Sequence, residues 1–170
     1  MSIADDMRDM REILDQEDLV PAVALSAFDR FSDEARDALV ADVARQFDPP
    51  PSAQLLARLQ MVVTDAAKPV LTGVYLANLR SPDPQARLAS LQGLAALGYP
   101  QATDLALAAL RDDADAVVGA AVQILLPLAQ QDERVRDLLG GVLAAHRDDA
   151  DFHVTASLLT AHGITPRETP

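Results

Sequence analysis

Apolar residues recur along this chain at intervals of three and four, the period of an α-helix, almost from end to end. Ile3, Met7, Met10 and Leu14 open the pattern and predict a first helix. Asp18 predicts a cap for a second helix, with Pro21 tolerated in its first turn. In FSDEARDALVADVARQF, Ser32 is the expected N-cap, Asp33 and Glu34 suit the positive first turn, and the apolar face runs Leu39, Val43, Phe47. The run DPPP at 48–51 stops that helix, because proline removes donors and denies the preceding residue its helical conformation. Alternating Val/Ile/Thr runs and Asn-Gly or Asp-Gly turns are absent, so no strand is expected.

Beyond the prolines the predicted elements become short and regular. Ser52 caps a helix with Leu55, Leu59, Val62, Val63 and Ala66 on one side, and Pro69 opens PVLTGVYLANLR. Asp83 caps PQARLASLQGLAAL, with Pro84 in its first position and Gly98 suited to its end. Then follow YPQATDLALAALR, ADAVVGAAVQILLPLA, DERVRDLLGGVLAAH and ADFHVTASLLTAHG, the last closed by Gly163. The joining segments are short enough to predict antiparallel helix pairs. Three regions result: an acidic helical segment over 1–48, paired helices over 52–163, and a flexible tail over 164–170.

The paired helices repeat. LRSPDPQARLASLQGLAALG begins at Leu79 and LRDDADAVVGAAVQILLPLA at Leu110, an offset of 31 that aligns Ala89 with Ala120, Gln92 with Gln123 and Leu94 with Leu125. The pentapeptide RDDAD occurs at 111–115 and again at 147–151, an offset of 36. Such periods mark α-solenoids. The segment 79–98 resembles the first-helix signature of HEAT-like repeats, a leucine and an acid- and proline-rich turn before an Ala-Arg pair, here Ala86 and Arg87. Val117 and Val118 stand at the pair's place in the next copy, and His153 and Val154 in the last. The resemblance implies a short right-handed solenoid with the second helix of each pair, at 69–80, 101–111 and 132–145, lining a concave face.

Charge narrows the partners. The formal net charge is −12, with net −8 over residues 1–48, +1 over 49–110 and −5 over 111–170. A surface of that sign repels phosphate backbones, so nucleic acid is not an expected partner. No membrane span is predicted and the first residues are acidic where a signal peptide is basic. The absence of cysteine removes disulfides, thiolate metal sites and thiol nucleophiles, and the expected compartment is the cytoplasm. The neutral middle is the most apolar part; inner solenoid units covered by neighbours explain it, and an exposed groove is the competing reading.

Candidate chemistry is sparse. The acids of RDDAD lack the ligand spacing and central glycine of a calcium loop, so they are read as caps at a repeated joint. His153 and His162 are nine residues apart and point to opposite sides of one helix, while His146 is within reach of Asp148 and Asp149 across a turn. Gly140 and Gly141 are read as close-packing positions and Pro127 as a kink. No catalytic residue, cofactor or metal is expected. HEAT-like repeats also occur in chromophore lyases and DNA glycosylases, but this chain has neither an evident acid–base pair nor a basic groove. The reading is a non-catalytic adaptor, assembly factor or regulator that binds another protein through Tyr75, Asn78, Arg80, Asp104, Arg111, Arg134 and Asp137, with Phe152 a possible anchor. The alternatives are a homo-oligomer assembled through the central apolar surface and, behind it, an enzyme-associated lyase-like subunit.

Overall fold

The computed structural model describes residues 2–46 and 50–167 and contains ten α-helices, with no strand among the described residues. Phe47 and the first two residues of the DPPP stop, Asp48 and Pro49, lie outside them. The helices form two compact units that divide between Tyr99 and Pro100 rather than at the proline run.

The first unit holds α1 (Ile3–Leu14), α2 (Pro21–Phe28), α3 (Asp33–Ala44), α4 (Ala53–Arg58), α5 (Lys68–Asn78) and α6 (Pro84–Ala96). Its helix starts follow local chemistry. Ser2 and Asp5 form a capping box on α1, Ser32 Oγ accepts from Ala35 N at 3.2 Å, and Ser52 Oγ accepts from Leu55 N at 3.2 Å. Asp83 Oδ1 accepts from Gln85 N at 2.9 Å in front of Pro84. The expected Asp18 cap does not form: Val20 is the N-cap of α2 and provides no side-chain hydrogen bond. The helix expected to reach Ala66 ends earlier, in a 3-10 turn over Leu59–Met61. Thr64 Oγ1 then accepts from Ala67 N at 3.2 Å and offers the backbone a turn in place of a further helical bond.

The core of this unit contains Met10, Leu14, Leu39, Val43, Leu56, Leu71, Leu91 and Leu94, all buried. Here α1 packs on α3, α3 on α5, and α6 on both α4 and α5. The acidic segment and the first paired helices therefore share one core. At the end of α6, Gly98 takes φ 68°, while Tyr99 N donates to Leu94 O and Gly98 N to Ala95 O, each at 3.0 Å. These two bonds satisfy carbonyls that a helix end otherwise leaves open.

The second unit holds α7 (Ala102–Ala109), α8 (Asp115–Ala129), α9 (Glu133–Ala145) and α10 (His153–Ala161). Helix α8 is apolar on most sides because it is central: α7, α9 and α10 all pack on it. Pro127 lies on its exposed surface near the C-terminal end, and the helix continues past it to Ala129. Gly163 repeats the ending at Gly98, with φ 73° and Ile164 N donating to Leu159 O at 3.0 Å.

Of the tail expected to be flexible from 164 onward, Ile164 is buried and Thr165, Pro166 and Arg167 are exposed. Ile164 is 3 % exposed, and Arg167 N donates to Gly140 O at 3.1 Å. A Cβ on Gly140 would lie 2.7 Å from Thr165 O, so the missing side chain is what admits this segment against α9. Gly141 has open space beside it.

Candidate functional site

The expected partner-binding residues separate into a buried one, isolated ones and a group. Tyr75 is the correction. It is 0 % exposed, its hydroxyl donates to Leu56 O at 2.9 Å, and burial pushes its pKa well above the ordinary tyrosine value. The ring fits because Gly93 on α6 has no side chain; a Cβ there would lie inside van der Waals contact with it. Tyr75 therefore joins α4, α5 and α6 within the first unit and presents nothing to a partner. Asn78 lines a cavity of about 450 Å³ with Val43, Val70 and Val74, but its amide donates to Val74 O at 2.9 Å. Arg80 is exposed beyond the end of α5, and Asp104 is exposed on the first turn of α7. Phe152, the possible anchor, is 0 % exposed and belongs to the core of the second unit.

Arg111, Arg134 and Asp137 do come together. They line a cleft of about 780 Å³ in the second unit, between the end of α7 and one stripe of α9. Leu107 and Leu110 stand on the α7 side; Leu138, Val142 and Ala145 succeed one another on the α9 side at helical spacing. Leu138 is 52 % exposed, unusual for a leucine beside other apolar groups. Asp137 is ion-paired with Arg167, which the packed C-terminal segment brings to the rim. Neither Arg111 nor Arg134 has an ion-pair partner among the described residues. The cleft thus combines an apolar floor with two cationic groups in a strongly acidic chain.

His146 closes one end of the cleft. Its Nδ1 lies 2.9 Å from Asp149 Oδ2 and 3.3 Å from Asp115 Oδ1, and its ring stacks on Phe152 at 4.6 Å between centroids. This changes the reading of RDDAD. In the first copy, Asp112 Oδ1 accepts from Ala114 N at 3.0 Å and so braces the turn, but α8 itself has no side-chain cap. In the second copy Asp149 makes no capping bond and turns its carboxylate to His146 instead. His146 stands where the first copy has Leu110, so only the second copy offers a histidine at this place.

The apolar floor and the Asp115 contact escaped the sequence reading. The α9 stripe was visible in part, since Arg134 and Asp137 were drawn from it and Leu138 lies beside them. Asp115 carries no local signal, being 31 residues from His146. Set against protein families, curated proteins and solved structures, the chain matches none.

Proposed function

We propose that this chain is a non-catalytic, HEAT-like protein-binding module, and that the α7–α9 cleft receives an amphipathic helix carrying acidic residues. One observation carries this reading: an apolar stripe with the exposed Leu138 shares one cleft with two arginines that have no ion-pair partner among the described residues. An apolar helix face would cover Leu107, Leu138 and Val142, and its carboxylates would meet Arg111 and Arg134. The long-range field of a −12 chain opposes an acidic partner, so the attraction is short-ranged and local to the cleft. Among the described residues, no helix is long and apolar enough to cross a membrane.

The test is selection from a library of displayed helical peptides with the full chain as bait. Enriched sequences should place apolar residues at i and i+3 or i+4 beside Asp or Glu. Their binding should be lost in Leu138→Asp and weakened at least tenfold in Arg111→Glu with Arg134→Glu. Peptides that bind wild type and Leu138→Asp equally would overturn the assignment of the cleft.

Self-assembly is the second reading, and α2 is its observation: Val20, Val23 and Leu25 on and before this helix are 56 %, 66 % and 49 % exposed. Light scattering of wild type and Val23→Asp separates the two readings. A dimer that Val23→Asp dissociates favours assembly, and a monomer in both cases removes it.

A further inference from the structure

Capping does not account for Asp115 and Asp149, the acids that the two RDDAD copies direct at one histidine. We propose that Asp115, His146 and Asp149 form a three-ligand site for a divalent first-row transition ion of the zinc class. The three groups each offer one ligand atom, and these atoms all lie within 4.8 Å of one another. Around a tetrahedral ion with bonds of about 2.1 Å, neighbouring ligand atoms stand about 3.4 Å apart. The distance from Nδ1 to Asp115 Oδ1, 3.3 Å, is close to that edge length, and Asp149 Oδ2, at 2.9 Å, has to move outward by about half an ångström to admit the ion.

A nitrogen can carry one proton at most, so His146 Nδ1 has a single hydrogen to share between two carboxylate oxygens. A cation satisfies both oxygens and the ring lone pair together. The ligands reach the site from separate places: Asp115 from the first turn of α8, His146 from the end of α9, and Asp149 from the turn that follows. Two features hold that arrangement. Asp149 N donates to His146 O at 3.2 Å, and the imidazole lies against the fully buried Phe152. The ring therefore has little freedom to turn away.

Ligand type selects the ion. Calcium takes six to eight oxygens, and this site supplies two carboxylates and a nitrogen. Imidazole with carboxylate suits zinc and its neighbours, leaving the remaining position to water. Bound there, the ion ties the start of α8 to the end of α9 beside the cleft that His146 lines. Metal binding should therefore raise the melting temperature.

The experiment uses the full chain, freed of metal with a chelator that is then removed, at neutral pH. Cobalt(II) chloride is titrated with absorption as the readout, and zinc chloride is titrated by calorimetry. Wild type should bind one equivalent, develop visible d–d absorption and melt at a higher temperature, while millimolar calcium chloride leaves the melting temperature unchanged. Asp149→Asn, Asp115→Asn and His146→Gln should each lose tenfold or more in affinity, with folding checked by circular dichroism. A variant with His153→Gln and His162→Gln should bind as wild type does. Absence of saturable one-to-one binding in wild type, which needs no variant to interpret, would overturn the site. Equal affinity in wild type and His146→Gln would do the same and leave the cluster an ion pair only.

Discussion

A single hydroxyl decides the character of α5. Tyr75 is the largest fully buried side chain described, and a buried phenol is tolerated only with a hydrogen-bond partner, here Leu56 O. Tyr75→Phe should lower stability by about 1 kcal/mol in denaturant titration, the usual net worth of one buried hydrogen bond. The pH dependence has a definite sign. Because the folded pKa is raised, the neutral phenol is stabilised by folding, and the unfolded chain loses its proton first. Stability should fall as pH rises past about 10, where the unfolded tyrosine ionises, with a limiting slope of about 1.4 kcal/mol per pH unit. Tyr75→Phe should remove that part of the alkaline decline. Gly93→Ala should cost about 1–3 kcal/mol, since the ring must shift and the helix-propensity gain of alanine is smaller than the overpacking penalty.

Element by element, what was legible in the sequence depended on the reach of the chemistry. Ser32, Ser52 and Asp83 cap helices as expected because a cap involves residues two or three apart. Gly98 and Gly163 end their helices for an equally local reason, the left-handed backbone that glycine adopts without strain. Asp132, not named as a cap from the sequence, caps α9 in the same local way, its Oδ1 accepting from Arg134 N at 2.8 Å. Asp132→Ala should destabilise the second unit by about 0.5–2 kcal/mol, measured by thermal or chemical unfolding. Failures came where long-range packing chose between local options. The place of Tyr75 depended on a gap 18 residues away at Gly93, and the approach of Thr165 and Arg167 to α9 on the missing side chain of Gly140. Leu138 and Arg134 lie on one helix stripe, but only the facing α7 residues turn that stripe into a cleft.

For the whole molecule, composition excludes more than it assigns. The −12 charge sets the field at a distance, yet the cleft in the second unit contains two arginines, so global and local electrostatics have opposite signs. An acidic helical peptide should therefore bind with affinity that depends on Arg111 and Arg134 but without the fast, salt-sensitive association of a steered encounter. Surface plasmon resonance at two salt concentrations checks this. A small change in association rate, together with a faster dissociation rate in the charge-reversed variant, is the expected outcome.

The segment that crosses α9 at Gly140 sets the electrostatic balance of a cleft it does not line. Arg167 neutralises Asp137 on the cleft rim, and Ile164 anchors the approach. Cleavage after Thr165 would remove the Arg167 partner of Asp137 and leave that carboxylate to compete for Arg111 and Arg134, with every helix in place. Trimming would then act as a rheostat, lowering affinity for acidic peptides severalfold and raising it for basic ones.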